Sequence, residues 1–251
     1  MLVHRPTGLA LTAVATALLL AACDPGGSDS AAKTSKIEQH GNGESKAGQD
    51  DNGKPRVVQH GNGEFDAAQA SGKVYGNGSK IRRYAILVEQ GTGISSKETA
   101  REIEQILAAK RGWTADGIDA FQLVSQKPYD FVIDIASPDT ADRICAEGGL
   151  DTNGEVNCDV GHKVVVNLKR WLTGSPQFPG SISEYRALII NHEVGHRIGH
   201  HHEECPGPGK PAPAMMQQIY GLDGCKANAW PYDPDGNYLG GPPSKETKAV
   251  E

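Results

Sequence analysis

The chain has 251 residues, with 25 basic and 31 acidic side chains and a formal net charge of −6. That balance, with no basic stripe, argues against a nucleic-acid-binding protein. About 160 residues remain once a leader and a polar segment are set aside, enough for one domain with its own core.

Residues 1–22 read as an export signal. His4 and Arg5 precede Leu9–Leu20, an apolar run of 12 residues, too short to span a bilayer comfortably. Leu20-Ala21-Ala22-Cys23 resembles a bacterial lipobox. The resemblance implies cleavage before Cys23, a lipid on that cysteine, and an extracytoplasmic protein held to the membrane without a transmembrane helix. The alternatives are an ordinary secretory signal cut near Ala22 and a retained N-terminal anchor. Residues 23–75 hold few large apolar side chains and read as a disordered polar tether. The tether contains a repeat: Gln39-His-Gly-Asn-Gly-Glu44 returns as Gln59-His-Gly-Asn-Gly-Glu64, with a truncated echo at Gly76-Asn-Gly78. Two polar copies are too few for a solenoid. Weak metal capture by His40 and His60 is the minor reading.

Residues 76–235 read as the folded domain. Tyr84–Val88, Phe121–Val124, Phe131–Ile135 and Val164–Leu168 have the composition and alternation of strands. Ser95–Ala109 reads as a helix with Ile103, Ile106 and Leu107 on one face. A second helix follows, with Ser183 as the expected N-cap, Glu184 in its first turn, and Tyr185, Leu188 and Ile189 facing the core. The expected class is α+β: a mixed twisted sheet, two main helices and a loop-rich C-terminal part. Trp230, Tyr232 and Tyr238 either pin that part to the body or line a pocket. Residues 236–251 read as a flexible tail.

The second helix carries the most informative run in the chain, His192-Glu-Val-Gly-His196-Arg-Ile-Gly199-His-His-His202. His192 and His196 are about 400° apart on a helix, so both rings leave one face a turn apart. Two neutral imidazoles so placed can converge on one cation. Glu193 lies about 100° further round, which suits a base acting on water better than a further ligand. Gly199 can adopt the left-handed conformation that ends a helix, which lets His202 return as a third ligand. Three protein ligands and an open position describe a catalytic zinc rather than a structural one. One Zn2+ is therefore expected at His192, His196 and His202, with Glu193 as general base. His200 and His201 are spacers in this registration. Either could replace His202 in the competing one.

Apart from Cys23, four cysteines remain, an even number in an exported domain. Cys145–Cys158 and Cys205–Cys225 are the preferred pairs, because each closes a local loop. Closure of such a loop contributes about 3 kcal/mol through the unfolded state. The competing reading makes Cys205 a fourth zinc ligand in a closed structural site.

The pattern H-E-x-x-H-x-x-G-x-x-H followed by Met215 resembles the metzincin clan of zinc metallopeptidases. That resemblance implies a methionine turn under the three histidines, with Met215 in that role and Met216 as the alternative. Tyr185 through the motif, the Pro-Gly-rich Cys205–Met215 segment, Arg111-Gly-Trp113 and Gly154–Cys158 also resemble a secreted actinobacterial metzincin-like family of unknown function. Astacin-like metzincins place a tyrosine two residues after the methionine. Gln217 or Gln218 stands there in this chain, so no tyrosine ligand is assigned and a role for Tyr220 stays open. Glu203, directly after the third histidine, is expected to fix local geometry. The resemblance further implies an extended peptide or protein substrate along an edge strand, for which Val164–Val166 is the candidate. The expected molecule is a monomeric zinc metalloendopeptidase, anchored to the membrane by lipid on Cys23 and binding no nucleic acid. Two alternatives stand beside it: a non-catalytic zinc-binding surface protein, and a zinc hydrolase of cell-wall peptides.

Overall fold

The structure is a computed structural model that describes residues 48–49 and 52–245. The leader, Cys23, the first repeat copy and the last six residues lie outside the described part. One sheet organises the molecule. Its strands are β1 (Phe65–Ala67), β2 (Val74–Tyr75), β3 (Lys80–Glu89), β4 (Asp119–Leu123), β5 (Phe131–Ala136), β6 (Cys158–Val160) and β7 (Lys163–Asn167). The helices are α1 (Ser96–Leu107), α2 (Pro138–Ala146), α3 (Leu168–Thr173) and α4 (Ile182–Ile198). The order across the sheet is β2-β4-β3-β5-β7-β6, with β1 added to β3. β4, β3, β5 and β7 are mutually parallel, while β1, β2 and β6 pair antiparallel. The class is α+β with a mixed sheet, as expected.

Alternation along the central strands builds two cores. Tyr84, Ile86 and Val88 of β3, Ile133 and Ile135 of β5, and Val164 and Val166 of β7 bury against α1 and α4. The neighbouring positions Ala136 and Val165 face the other way and pack on Ala141, Ile144 and Cys145 of α2. Period-two placement of apolar residues makes both faces buried, so β5 is buried at every position. Among the described residues no helix is long and apolar enough to cross a membrane.

Several expected boundaries change. α4 begins two residues early, because Ser181 and Glu184 form a reciprocal capping box, and Ser183 is not the cap. Val164–Val166 is not an edge strand: β7 lies between β5 and β6, and β6 is the terminal strand. α2 and α3 were not anticipated, since both are short and their apolar positions read as loop or strand end.

The polar tether does not reach residue 75. Residues 52–75 belong to the domain, and β1 pairs with β3 from Phe65↔Glu89 to Ala67↔Leu87. Backbone pairing, the carboxylates of Glu89 and Asp139, and a few apolar contacts from Val57, Val58, Phe65 and Ala68 hold this segment. Glu89 is 1% exposed and accepts from Gly63 N, Ser137 N and Thr140 Oγ1, each at 2.7 Å. Burial pushes its carboxyl upward, but the hydrogen bonds from Ser137, Thr140 and Gly63 outweigh that and hold it below the usual glutamate range.

Residues 236–245 are likewise not a free tail. Tyr238 donates to Glu203 Oε1 (2.9 Å), Gly241 N to Glu203 Oε2 (3.1 Å) and Ser244 N to His202 O (2.9 Å). Residues 202–204 collect the segment, which its own composition did not indicate.

Asp134, in the middle of β5, has the opposite environment to Glu89. It is 3% exposed, its Oδ1 has no hydrogen-bond partner among the described residues, and burial pushes its carboxyl up to about 6 against a small opposing effect of Lys163. The folded state therefore holds a proton that the unfolded state has released, and stability falls as pH rises between the two pKa values. Wild-type stability should drop by about 3 kcal/mol between roughly pH 4 and pH 7 from this group. Asp134→Asn should remove that drop, as read by urea unfolding at both pH values. Parallel pH profiles for variant and wild type would contradict the assignment.

Candidate metal centre

The capping box starts α4, and the apolar face of Tyr185, Leu188 and Ile189 seats it on the core. Its last two turns deliver His192, Glu193 and His196. Gly199 then takes φ +105° and ends the helix, with its N–H bonded to His196 O at 3.0 Å. The next amide, His200 N, returns to Gly195 O at 2.9 Å. This is the left-handed termination expected of a glycine at that position. It reverses the chain so that His202 comes back to the helix.

Ring nitrogens of His192, His196 and His202 all lie within 4.8 Å of one another. Ring centroids are separated by 4.8, 5.2 and 4.7 Å. His192 Nδ1 donates to Ala214 O and His196 Nδ1 to His200 O, both at 2.9 Å. With Nδ1–H committed to a carbonyl, each ring presents an Nε2 lone pair. The two Nε2 atoms face one another at 3.3 Å. Burial, then the adjacent imidazoles His196 and His202, hold His192 well below the usual histidine range, so it is neutral. Neutral nitrogens converging at this spacing fit a borderline-soft divalent ion such as zinc. His200 is elsewhere: its ring stacks on Trp113 with centroids 4.1 Å apart. His201 is exposed. Cys205 is joined to Cys225, and Cys145 to Cys158, so among the described residues no thiolate is available as a further ligand.

Glu193 lines the same cleft as the three rings and is 6% exposed. Burial, followed by the charge of Asp159, pushes its carboxyl up to about 8. Asp159 belongs to β6 and pairs with Arg197 at 3.2 Å, which ties the edge strand to the end of α4. Val156, Asn157 and Cys158 form one wall of the cleft, and Met216 through Tyr220 form another. Tyr185, Leu188 and Ile189 supply apolar lining, and the cleft has a cavity volume of about 60 Å³. Arg170 and Lys169 grip Glu155, and Asn157 Oδ1 accepts from Asn167 N at 2.9 Å. These bonds fix the loop that carries the first wall. Tyr220 is 67% exposed at the mouth.

Met215 is fully buried in the main core, and its sulfur lies against Gly195 of α4. Met216 turns instead into a small cluster with Ala212 and Cys225, and its other side lines the cleft. Ala214 O, which orients His192, immediately precedes Met215, and Met215 O accepts from Glu203 N at 3.1 Å. The turn is therefore linked to both the first ligand and the residue after the third. The Cys205–Cys225 disulfide encloses it. Gln218 is buried and its Nε2 donates to Pro213 O and Asn228 O, so its amide holds the turn.

Sequence reasoning did not find the supporting residues. Trp113 donates Nε1–H to Asn191 O at 2.8 Å, stacks on His200 and approaches Gly195. Asn191 Nδ2 bonds Ala229 O at 2.8 Å. Neither has a spacing signal that assigns it a role, although both fall in segments that carry the family resemblance.

The sequence matches the family described as "Protein of unknown function (DUF3152)" over residues 52–238. No curated protein and no solved structure matches the chain.

A Cβ at position 195 would stand 2.3 Å from Met215 Sδ and 2.9 Å from Trp113 Cζ2. Gly195→Ala should therefore cost about 1–3 kcal/mol by overpacking, measured by chemical denaturation. Unchanged stability would mean that the floor beneath α4 is loose.

Proposed function

We propose that this chain, which belongs to the DUF3152 family of proteins of unknown function, is an exported, lipid-anchored zinc metallopeptidase of the metzincin type. One observation carries the reading: three converging imidazoles and a buried carboxylate share a cleft beside the outermost strand of a sheet.

His192, His196 and His202 would hold the ion. When bound there, zinc supplies a Lewis acid that polarises a carbonyl and eases deprotonation of water. Glu193 takes the proton from the attacking water and passes it to the leaving amine. Its place in the cleft beside the three rings supports this role, because a general base must lie within reach of the water it deprotonates. β6 is the outermost strand at its end of the sheet, and Cys158, on β6, lines the cleft. An extended substrate can lie along this outermost strand and place a scissile bond near the rings. β6, not Val164–Val166, is the strand suited to this. Its disulfide to Cys145 on α2 keeps the edge rigid. The apolar end of the cleft takes a substrate side chain. Lipid on Cys23 would tether the enzyme outside the cytoplasmic membrane; that residue lies outside the described part.

The test uses the full chain loaded with zinc and a diverse peptide mixture, with products sequenced. Cleavage should occur, stop with a chelator, and return with zinc. Glu193→Gln should bind one metal per chain yet lose at least about a hundredfold in turnover. Wild-type turnover in that variant would exclude Glu193 as the base, and absence of stoichiometric metal in the wild type would exclude the site.

A further inference from the structure

The second repeat copy, Gln59–Glu64, is not a spacer. It is a ligand seated on the domain. Gln59 Nε2 donates to Asp139 Oδ1 at 3.1 Å, and the His60 ring bonds the other oxygen of Asp139. Gly61 N donates to Ser137 Oγ at 2.9 Å and Gly63 N to Glu89 Oε1 at 2.7 Å. Asn62 Oδ1 folds the turn by accepting from Glu64 N at 2.9 Å, and Glu64 O accepts from Gln90 N at 2.8 Å. Two glycines are required. A Cβ at 61 would stand 2.0 Å from Glu89 Oε1, and residue 63 has φ +75° with Arg143 against it.

Every one of these contacts uses a side chain or backbone group that Gln39–Glu44 also carries, residue for residue. The likeness continues beyond the hexapeptide: 39–49 and 59–69 agree at eight of eleven positions. The differences weaken the upstream copy and leave its recognition intact. Phe65, which packs against the second core, is replaced by Ser45, and buried Ala68 by Gly48. Asp66, which accepts from Gln90 Nε2, is replaced by Lys46.

We propose that Glu89, Ser137 and Asp139 form a peptide-binding cradle for Gln-His-Gly-Asn-Gly-Glu, and that residues 39–44 of the same chain are its second ligand. The upstream copy takes the cradle when the downstream copy leaves. That exchange loops out twenty residues, and the entropy of closing a loop rises only slowly with length. It also shortens the N-terminal segment outside the domain by the same twenty residues. The cradle thus sets how far the domain stands from whatever holds its N-terminus.

The experiment is a double-mutant cycle on the full chain. Gly41→Ala alone should leave Tm unchanged, because the downstream copy stays seated. Gly61→Ala should lower Tm only partly, and Gly41→Ala/Gly61→Ala should lower it by at least about a further 3 °C. Hydrogen exchange should show amides of 39–44 gaining protection in Gly61→Ala and losing it in the double variant. Should Gly61→Ala not fold, Gln59→Ala/His60→Ala removes the exposed Asp139 contacts and should protect 39–44 in the same way. Equal Tm for the single and double variants, with no protection of 39–44, overturns the proposal. Concentration-dependent dimers of Gly61→Ala by sedimentation also overturn it, since the ligand would then come from another copy.

Discussion

Two carbonyl oxygens decide what the three histidines can do. Ala214 O and His200 O each take an Nδ1–H, and that choice of tautomer turns His192 and His196 toward one point. The two acceptors come from different segments, the turn before Met215 and the reversal after Gly199. Neither segment is regular structure, so each must be held by something else. Met215 is buried under Gly195, and the Cys205–Cys225 bond closes the loop around the turn. Glu203 joins the two segments, through its N–H to Met215 O and its carboxylate to Tyr238 and Gly241. The convergence of the three histidines is thus as precise as the packing between a helix and two loops.

That division explains what the sequence reveals and what it hides. The ligand set was legible because helical periodicity and a glycine stop translate spacing directly into geometry. The cysteine pairs were legible because local loops restrict the choice. Positions in β3, β5 and β7 were legible because short, nearly continuous apolar runs match a sheet buried on both faces. The edge was not legible. β6 spans three residues with half-buried flanks, and its place beyond β7 depends on pairing Cys158 with Val165, a long-range fact. Residues 52–75 and 236–245 failed for a related reason. They are polar, and composition alone makes such segments look free, yet each is held by hydrogen bonds to distant parts of the chain, among them those to Glu89 and Asp139 for the first and to Glu203 for the second.

Three buried carboxylates show why a perturbed acid is a weak guide to function by itself. Glu89 receives three strong donors and stays charged, so its burial serves structure. Asp134 has no such donors and is pushed up to about 6, but it sits between two covered sheet faces where no substrate can reach. Glu193 is pushed up to about 8, and it alone of the three lines a cleft with three imidazoles. Desolvation acts on Asp134 and Glu193 alike. Access and neighbours separate them: a proton moved at Glu193 can go to a bound molecule, whereas a proton on Asp134 can only be exchanged with solvent when the fold opens. The case for chemistry at Glu193 therefore rests on the direction of the imidazoles beside it, and those directions return to the two carbonyl oxygens.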